Sequence, residues 1–199
     1  LLDGSKAVFI LRTIIVEDYD PQWVQDFEEL KKVYENHLSD INCQIIHVGS
    51  TSVEGLAAKP IIDVDIVVKT PEDIKKCIQR LEQLGYVHAG QRGIVGRESF
   101  DRTDEWVPYN GEDKKWRDHH LYVCVEGIDA LDNHLKLKAF LQSHPEAVKS
   151  YSELKKKLAK KYPHDIDAYI PEKTDLIVGF LKQAGMDEDV LEGIVNQNT

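Results

Sequence analysis

The chain has 199 residues, 42% hydrophobic and 30% charged, with a formal net charge of −10. That length holds one domain with a substantial core, or a core plus an extension, and the composition is that of a soluble globular protein. The acidic balance disfavours nucleic acid and anionic membranes as broad partners. No stretch approaches the roughly 20 apolar residues that cross a bilayer. The opening Leu1–Leu11 run is too short for a secretory leader. Three cysteines without close spacing, Cys43, Cys77 and Cys124, fit a reducing, cytoplasmic compartment better than a disulfide framework or a structural zinc site.

In chain order, Asp20–Pro21 starts a helix in which Trp23, Phe27, Leu30, Tyr34 and Leu38 recur at helical spacing. Residues 43–48 read as a strand, and the small polar segment 49–59 as a loop or short helix. The run Pro60–Val68 is β-branched and reads as a strand. It is interrupted only by Asp63 and Asp65, which share one face while Ile62, Val64, Ile66 and Val68 share the other. Thr70–Pro71 opens a second helix that Gly85 ends. Residues 86–126 read as strands and loops with a charged middle over 98–118, and His119–Val125 is a strand. From about residue 129 the pattern is helical, over 128–141, 145–161, 172–184 and 187–195. The expected organisation is a mixed α/β core over 13–128 and a helical part over 129–199 packed on it, with a single domain as the alternative.

Adjacent carboxylates on a rigid strand repel unless a cation joins them, and Mg2+ is commonly held by one or two carboxylates plus substrate phosphates. Asp63 and Asp65 are therefore candidate ligands for Mg2+. Upstream, His47-Val48-Gly49-Ser50-Thr51-Ser52 puts a glycine directly after a strand. Backbone can approach a ligand closely there, and Ser50, Thr51 and Ser52 offer hydroxyl donors to phosphate. His47 reads as a core or supporting histidine. Basic candidates for phosphate contacts are Lys59, Arg97, Arg117 and Lys173. Lys155–Lys157 with Lys160 and Lys161 reads as a solvated helix face.

A Gly-Ser turn, a short gap and an Asp-x-Asp strand together are similar to the signature of nucleotidyltransferases with the DNA polymerase β-like fold. The longer string from His47 to Asp65, with Asp18–Trp23, His119–Val123 and Glu172–Asp175, resembles the GrpB family (UPF0157), placed in that superfamily. The resemblance spans roughly residues 15–185. It implies an α+β fold, a nucleotidyltransferase-like mixed sheet flanked by helices with a helical C-terminal part. It also implies that Gly49 and Ser50 hold the phosphates of an NTP and that Asp63 and Asp65 bind Mg2+. An NMP would then pass to an acceptor that the sequence does not name. A third carboxylate is usual on the neighbouring strand, but here His120 takes that place as base or third ligand, with Glu126 at the strand end as an alternative acid. The rival expectation is a non-catalytic nucleotide- or phospho-ligand-binding module on the same fold.

Overall fold

In the computed structural model, which describes residues 13–197, five strands form one mixed sheet. They are β1 (Cys43–Val48), β2 (Ile62–Val68), β3 (Tyr86–Gly90), β4 (Arg97–Arg102) and β5 (His119–Val125), in the order β1-β2-β5-β4-β3. The central β2–β5 pair is parallel, with Asp63 opposite His120 and Asp65 opposite Tyr122. All other neighbours are antiparallel. The opening Leu1–Leu11 run lies outside the described residues, apart from which no helix is long and apolar enough to cross a membrane.

The two faces of the sheet are covered differently, and β2 shows why. Ile62, Val64, Ile66 and Val68 point to one face, where they are at most 1% exposed. There they pack with Trp23, Phe27, Leu30 and Tyr34 of α1 (Gln22–His37) and Cys77 and Leu81 of α2 (Pro71–Gln83). Burial of this continuous apolar set is the main stabilising contribution in this half. Helix α2 starts as expected, Thr70 Oγ1 accepting from the Asp73 N–H at 3.2 Å.

The other face of β2 carries Asp63, Asp65 and Val67. Val67 and Cys124 pack against Leu131 of α3 (Asp129–Ser143). The remaining helices are α4 (Pro145–Lys161), the four-residue α5 (Ile166–Tyr169), α6 (Pro171–Gln183) and α7 (Glu188–Gln197). Val53 and Leu56, just after the Gly49 bend, enter a second core with Phe140, Leu141, Tyr151 and Phe180. The bend is therefore clamped between the sheet and the C-terminal helices.

Candidate functional site

Every feature of the site follows from the start of β2. Gly49 directly follows β1 with φ 69° and ψ −171°, a conformation open essentially to glycine. An added Cβ would lie 2.7 Å from Asp63 Cγ and 2.9 Å from Asp63 Cβ. The bend thus lies directly against the first aspartate, and the missing side chain is what allows the approach.

The two aspartates are engaged differently. Asp63 is a quarter exposed, and its Oδ1 accepts from His120 Nδ1 at 2.8 Å. Burial pushes its carboxyl up, but the His120 hydrogen bond and the charges of His120, His134 and Lys59 together hold it below the usual range. Asp65 is 1% exposed. Its Oδ2 accepts from His134 Nδ1 of α3 at 2.7 Å, and its buried Oδ1 has no hydrogen-bond partner. Burial pulls the His134 imidazole down, yet the Asp65 hydrogen bond and the two carboxylates raise it overall, favouring an imidazolium–carboxylate pair.

Asp63 and His134 border a cavity of about 680 Å³ that is also lined by Gly49, Ser50, Arg97, Tyr122, Lys138, Tyr151 and Lys173, among others. Apolar side chains of the helices, Leu137, Leu141 and Ile177, form another part of its wall. The Arg97 guanidinium stands 4.2 Å from the centroid of the Tyr122 ring, and its buried Nε has no partner. Lys173 is largely desolvated, so its ammonium drops to about 8.

Gly49, Ser50, Asp63, Arg97 and Lys173 are thus brought to one cavity, with His120 and Asp65 attached through the aspartate strand. Lys59 sits close enough to weigh on both Asp63 and Lys173. Thr51 and Ser52 are turned away from the cavity. The Thr51 hydroxyl, 1% exposed, donates to the Ile61 carbonyl at 3.2 Å and lies 3.0 Å from His47 Nε2, while Ser52 Oγ donates to the Gly49 carbonyl at 2.7 Å. Both hold the bend together. His47 supports it from the core, stacked on Phe27 with ring centroids 4.5 Å apart, and burial pushes its pKa down to about 4. Arg117 does not line the cavity but pairs with Asp26 of α1. Glu126 lies beyond the far end of β5 in an ion pair with Lys69 at 2.5 Å, so no third carboxylate comes from that strand.

Two residues that the sequence reading passed over belong here. His134 occupies the inward stripe of α3, three residues after buried Leu131, and a polar residue in that stripe was the available signal. Lys155 departs from the solvated basic face expected of Lys155–Lys157, Lys160 and Lys161. Lys157, Lys160 and Lys161 are indeed exposed, but Lys155 is 3% exposed, because it continues the buried Ala147–Tyr151–Leu158 stripe of α4.

A model of the GrpB protein family matches residues 13–183. The UPF0157 protein YqkA of Bacillus subtilis is 34% identical over 159 residues, which is 80% of this chain but 43% of YqkA. The crystal structure of the conserved protein GrpB from Enterococcus faecalis is 32% identical with a TM-score of 0.72, covering 85% of this chain and 96% of that one. A fainter likeness is to the Cid1 poly(U) polymerase bound to MgGTP, at 14% identity and a TM-score of 0.42, over 64% of this chain and 42% of that one.

Proposed function

The chain belongs to the GrpB family, and we propose that its cavity is the active centre of a magnesium-dependent nucleotidyltransferase, moving an NMP from an NTP to an acceptor hydroxyl. The observation that carries this reading is the Asp-x-Asp strand at the glycine bend, whose Asp63 opens on a cavity lined by Arg97, Lys138 and Lys173.

The donor set suits a hard cation. Asp65 Oδ1 is a buried acceptor with no partner, and Asp63 is held ionised beside it. Among the described residues no group of three or more His, Cys, Asp or Glu is arranged to hold a metal. Mg2+ fits such a sparse set, since it keeps waters and substrate phosphates in its shell. Asp63 and Asp65 would hold it, and it would neutralise charge on the phosphates.

The other roles fall to this chain's own groups. The Gly49 backbone and Ser50 hydroxyl face the phosphates, with Lys173 and Lys59 supplying positive charge. An ionised carboxylate only accepts, so His120 donates to Asp63 through Nδ1–H. Its Nε2 then carries a lone pair and takes the acceptor's proton as the acceptor oxygen bonds to the α-phosphorus. The bond from that phosphorus to the bridging oxygen breaks, and pyrophosphate leaves with the electron pair. Such chemistry relies mainly on positioning and electrostatics. His134, by pairing with Asp65, keeps the second carboxylate oriented.

One observation favours a second reading, a phospho-ligand-binding module without turnover: β5 sets His120 and Tyr122, neither an acid, opposite the two aspartates. Incubation with labelled NTPs, Mg2+ and cell extract separates the two. A nucleotidylated product that disappears in Asp63→Asn supports transfer. Saturable NTP binding with no product under any condition supports the module and overturns transfer.

A further inference from the structure

The roles assigned above leave out Arg97, and its surroundings set it apart. Arg80, Arg92, Arg102 and Arg117 each hold a carboxylate. Among the described residues, no ion pair or side-chain hydrogen bond engages the Arg97 guanidinium. It stands over the Tyr122 ring, 4.2 Å from the centroid. A guanidinium seated on a ring uses its face and keeps its edge N–H groups. Nε is buried, so the edge left to a ligand is the Nη fork. That fork matches a carboxylate through two parallel hydrogen bonds.

Arg97 also stands between two cavities. It lines the one already described and a second of about 590 Å³, and Asn133 and His134 border both. Such a volume holds a small organic ligand. Lys138 and Lys173 line only the first cavity. The second has apolar walls: Ile94 and Val95 from the loop before β4, Ile128 before α3 and Val190 of α7. Val95 is 85% exposed, an apolar side chain left without cover. Asp129 and Asp189 also border this cavity, both exposed. Two carboxylates without a lysine repel a polyphosphate. One guanidinium at the shared wall can still take a single negative charge.

Tyr122 links that guanidinium to the base. Its ring centroid is 6.3 Å from that of His120, so fork and imidazole are at most about 10.5 Å apart. A carboxylate on the fork and a hydroxyl one or two carbons away can bridge that span, with hydrogen bonds of about 2.8 Å at each end.

We infer that the acceptor is a hydroxy acid: its carboxylate sits on the Arg97 fork, its hydroxyl faces His120, and its apolar body fills the second cavity. This rests on reading His120 as the base of nucleotidyl transfer, and it adds the class of acceptor. The hydroxyl oxygen bonds to the α-phosphorus, its proton passes to His120 Nε2, and pyrophosphate leaves with the electron pair of the broken bond. The carboxylate is unchanged and serves to position the hydroxyl.

The test is calorimetry on the full chain without added metal. The probes are lactate, 2-hydroxyisocaproate and 3-phenyllactate, both enantiomers of each, with their neutral amides. Wild type should bind at least one acid about tenfold tighter than its amide. Arg97→Met should bind acid and amide alike. Arg97→Lys keeps the charge but not the fork, should retain only part of the preference, and carries the test should Arg97→Met fail to fold. A merely structural arginine would weaken acid and amide together and leave their ratio unmoved. No preference for any acid in wild type, or a preference unchanged in the variants, overturns the site. Loss of NTP affinity in Arg97→Met with the acid preference intact gives the guanidinium to phosphate and also overturns it. Labelled NTP with Mg2+ and the tightest acid reads transfer separately. Arg97-dependent acid binding without a nucleotidylated acid sustains the carboxylate site and removes the transfer reading. A nucleotidylated product from cell extract whose acceptor has no carboxylate sustains transfer and overturns the site.

Discussion

Gly49→Ala tests the geometry at the root of the site. At φ 69° and ψ −171° an alanine carries backbone strain of about 1–3 kcal/mol. Its Cβ would also meet Asp63 Cγ at 2.7 Å and Asp63 Cβ at 2.9 Å. These atoms are the base of a strand side chain, not a flexible tip, so the overlap adds about 1–3 kcal/mol. Alanine restricts the unfolded chain and returns about 0.4–1 kcal/mol. The net loss is about 1–6 kcal/mol with a middle value of about 3, or about 6–12 °C in Tm at this chain length. Gly90→Ala is the control. Gly90 also has positive φ, at 70°, but nothing lies within 4 Å of an added Cβ. It should lose only the backbone part, about 1–2 kcal/mol. Calorimetric melts of the three proteins decide the matter. If Gly49→Ala melts no lower than Gly90→Ala, the close approach of bend and aspartate is wrong, and with it the reasoning that places phosphate there.

Further outcomes follow from the same geometry. His134→Ala leaves the Asp65 carboxylate buried without its partner, at a cost of about 3–5 kcal/mol. Because His134 is raised in the folded state, its contribution is fully present below the unfolded value of about 6.5 and fades as pH rises through the higher folded value. Urea melts should therefore show a larger deficit at pH 5.5 than at pH 9, and an equal deficit at both would refute the pairing. Lys173, at about 8 in the unliganded chain, should be driven to full protonation by a phosphate ligand. Pyrophosphate affinity should hold below pH 8 and fall above it, and Lys173→Met should flatten that part of the profile. Tyr86→Phe removes the hydroxyl that joins Tyr34 at 2.6 Å to His119 Nε2 at 2.5 Å in the core. It should cost about 1–3 kcal/mol in denaturant melts while leaving ligand affinity unchanged.

Where side-chain period and burial agree, the sequence already reads as the fold does. Helix α1 shows its Trp23–Phe27–Leu30–Tyr34 stripe, and β2 shows its alternation, because one face of each is buried. Strand β4 was hidden in a charged stretch, since its charges are satisfied laterally rather than by solvent alone. Glu98 pairs with His88 at 2.7 Å, and Arg102 donates to the Val107 carbonyl at 3.1 Å and to Asp118 at 3.0 Å. No strand period reveals such partners, which sit on the adjoining strand and on the loop that follows β4. Helix α5 is a single turn, too short for any period. The Gly49–Asp63 core of the site was legible because both ends lie within one local string. His134 and Lys155 escaped because their significance depends on helices folding over the sheet, and Lys155 lay among truly exposed lysines.

The parallel pairing of β2 with β5 has a consequence for how the protein is made. Adjacent partners in the middle of the sheet lie on either side of α2, β3 and β4 in the chain. The helices that cap Asp63 and Asp65 come later still, with Lys173 near the end. On a ribosome adding about 5–20 residues per second, the aspartate strand waits for seconds before β5 and the helices over its acidic face emerge. The apolar face of that strand can find α1 and α2 early, whereas its acidic face stays uncovered through that interval, so the ability to hold a ligand is among the last properties the chain acquires.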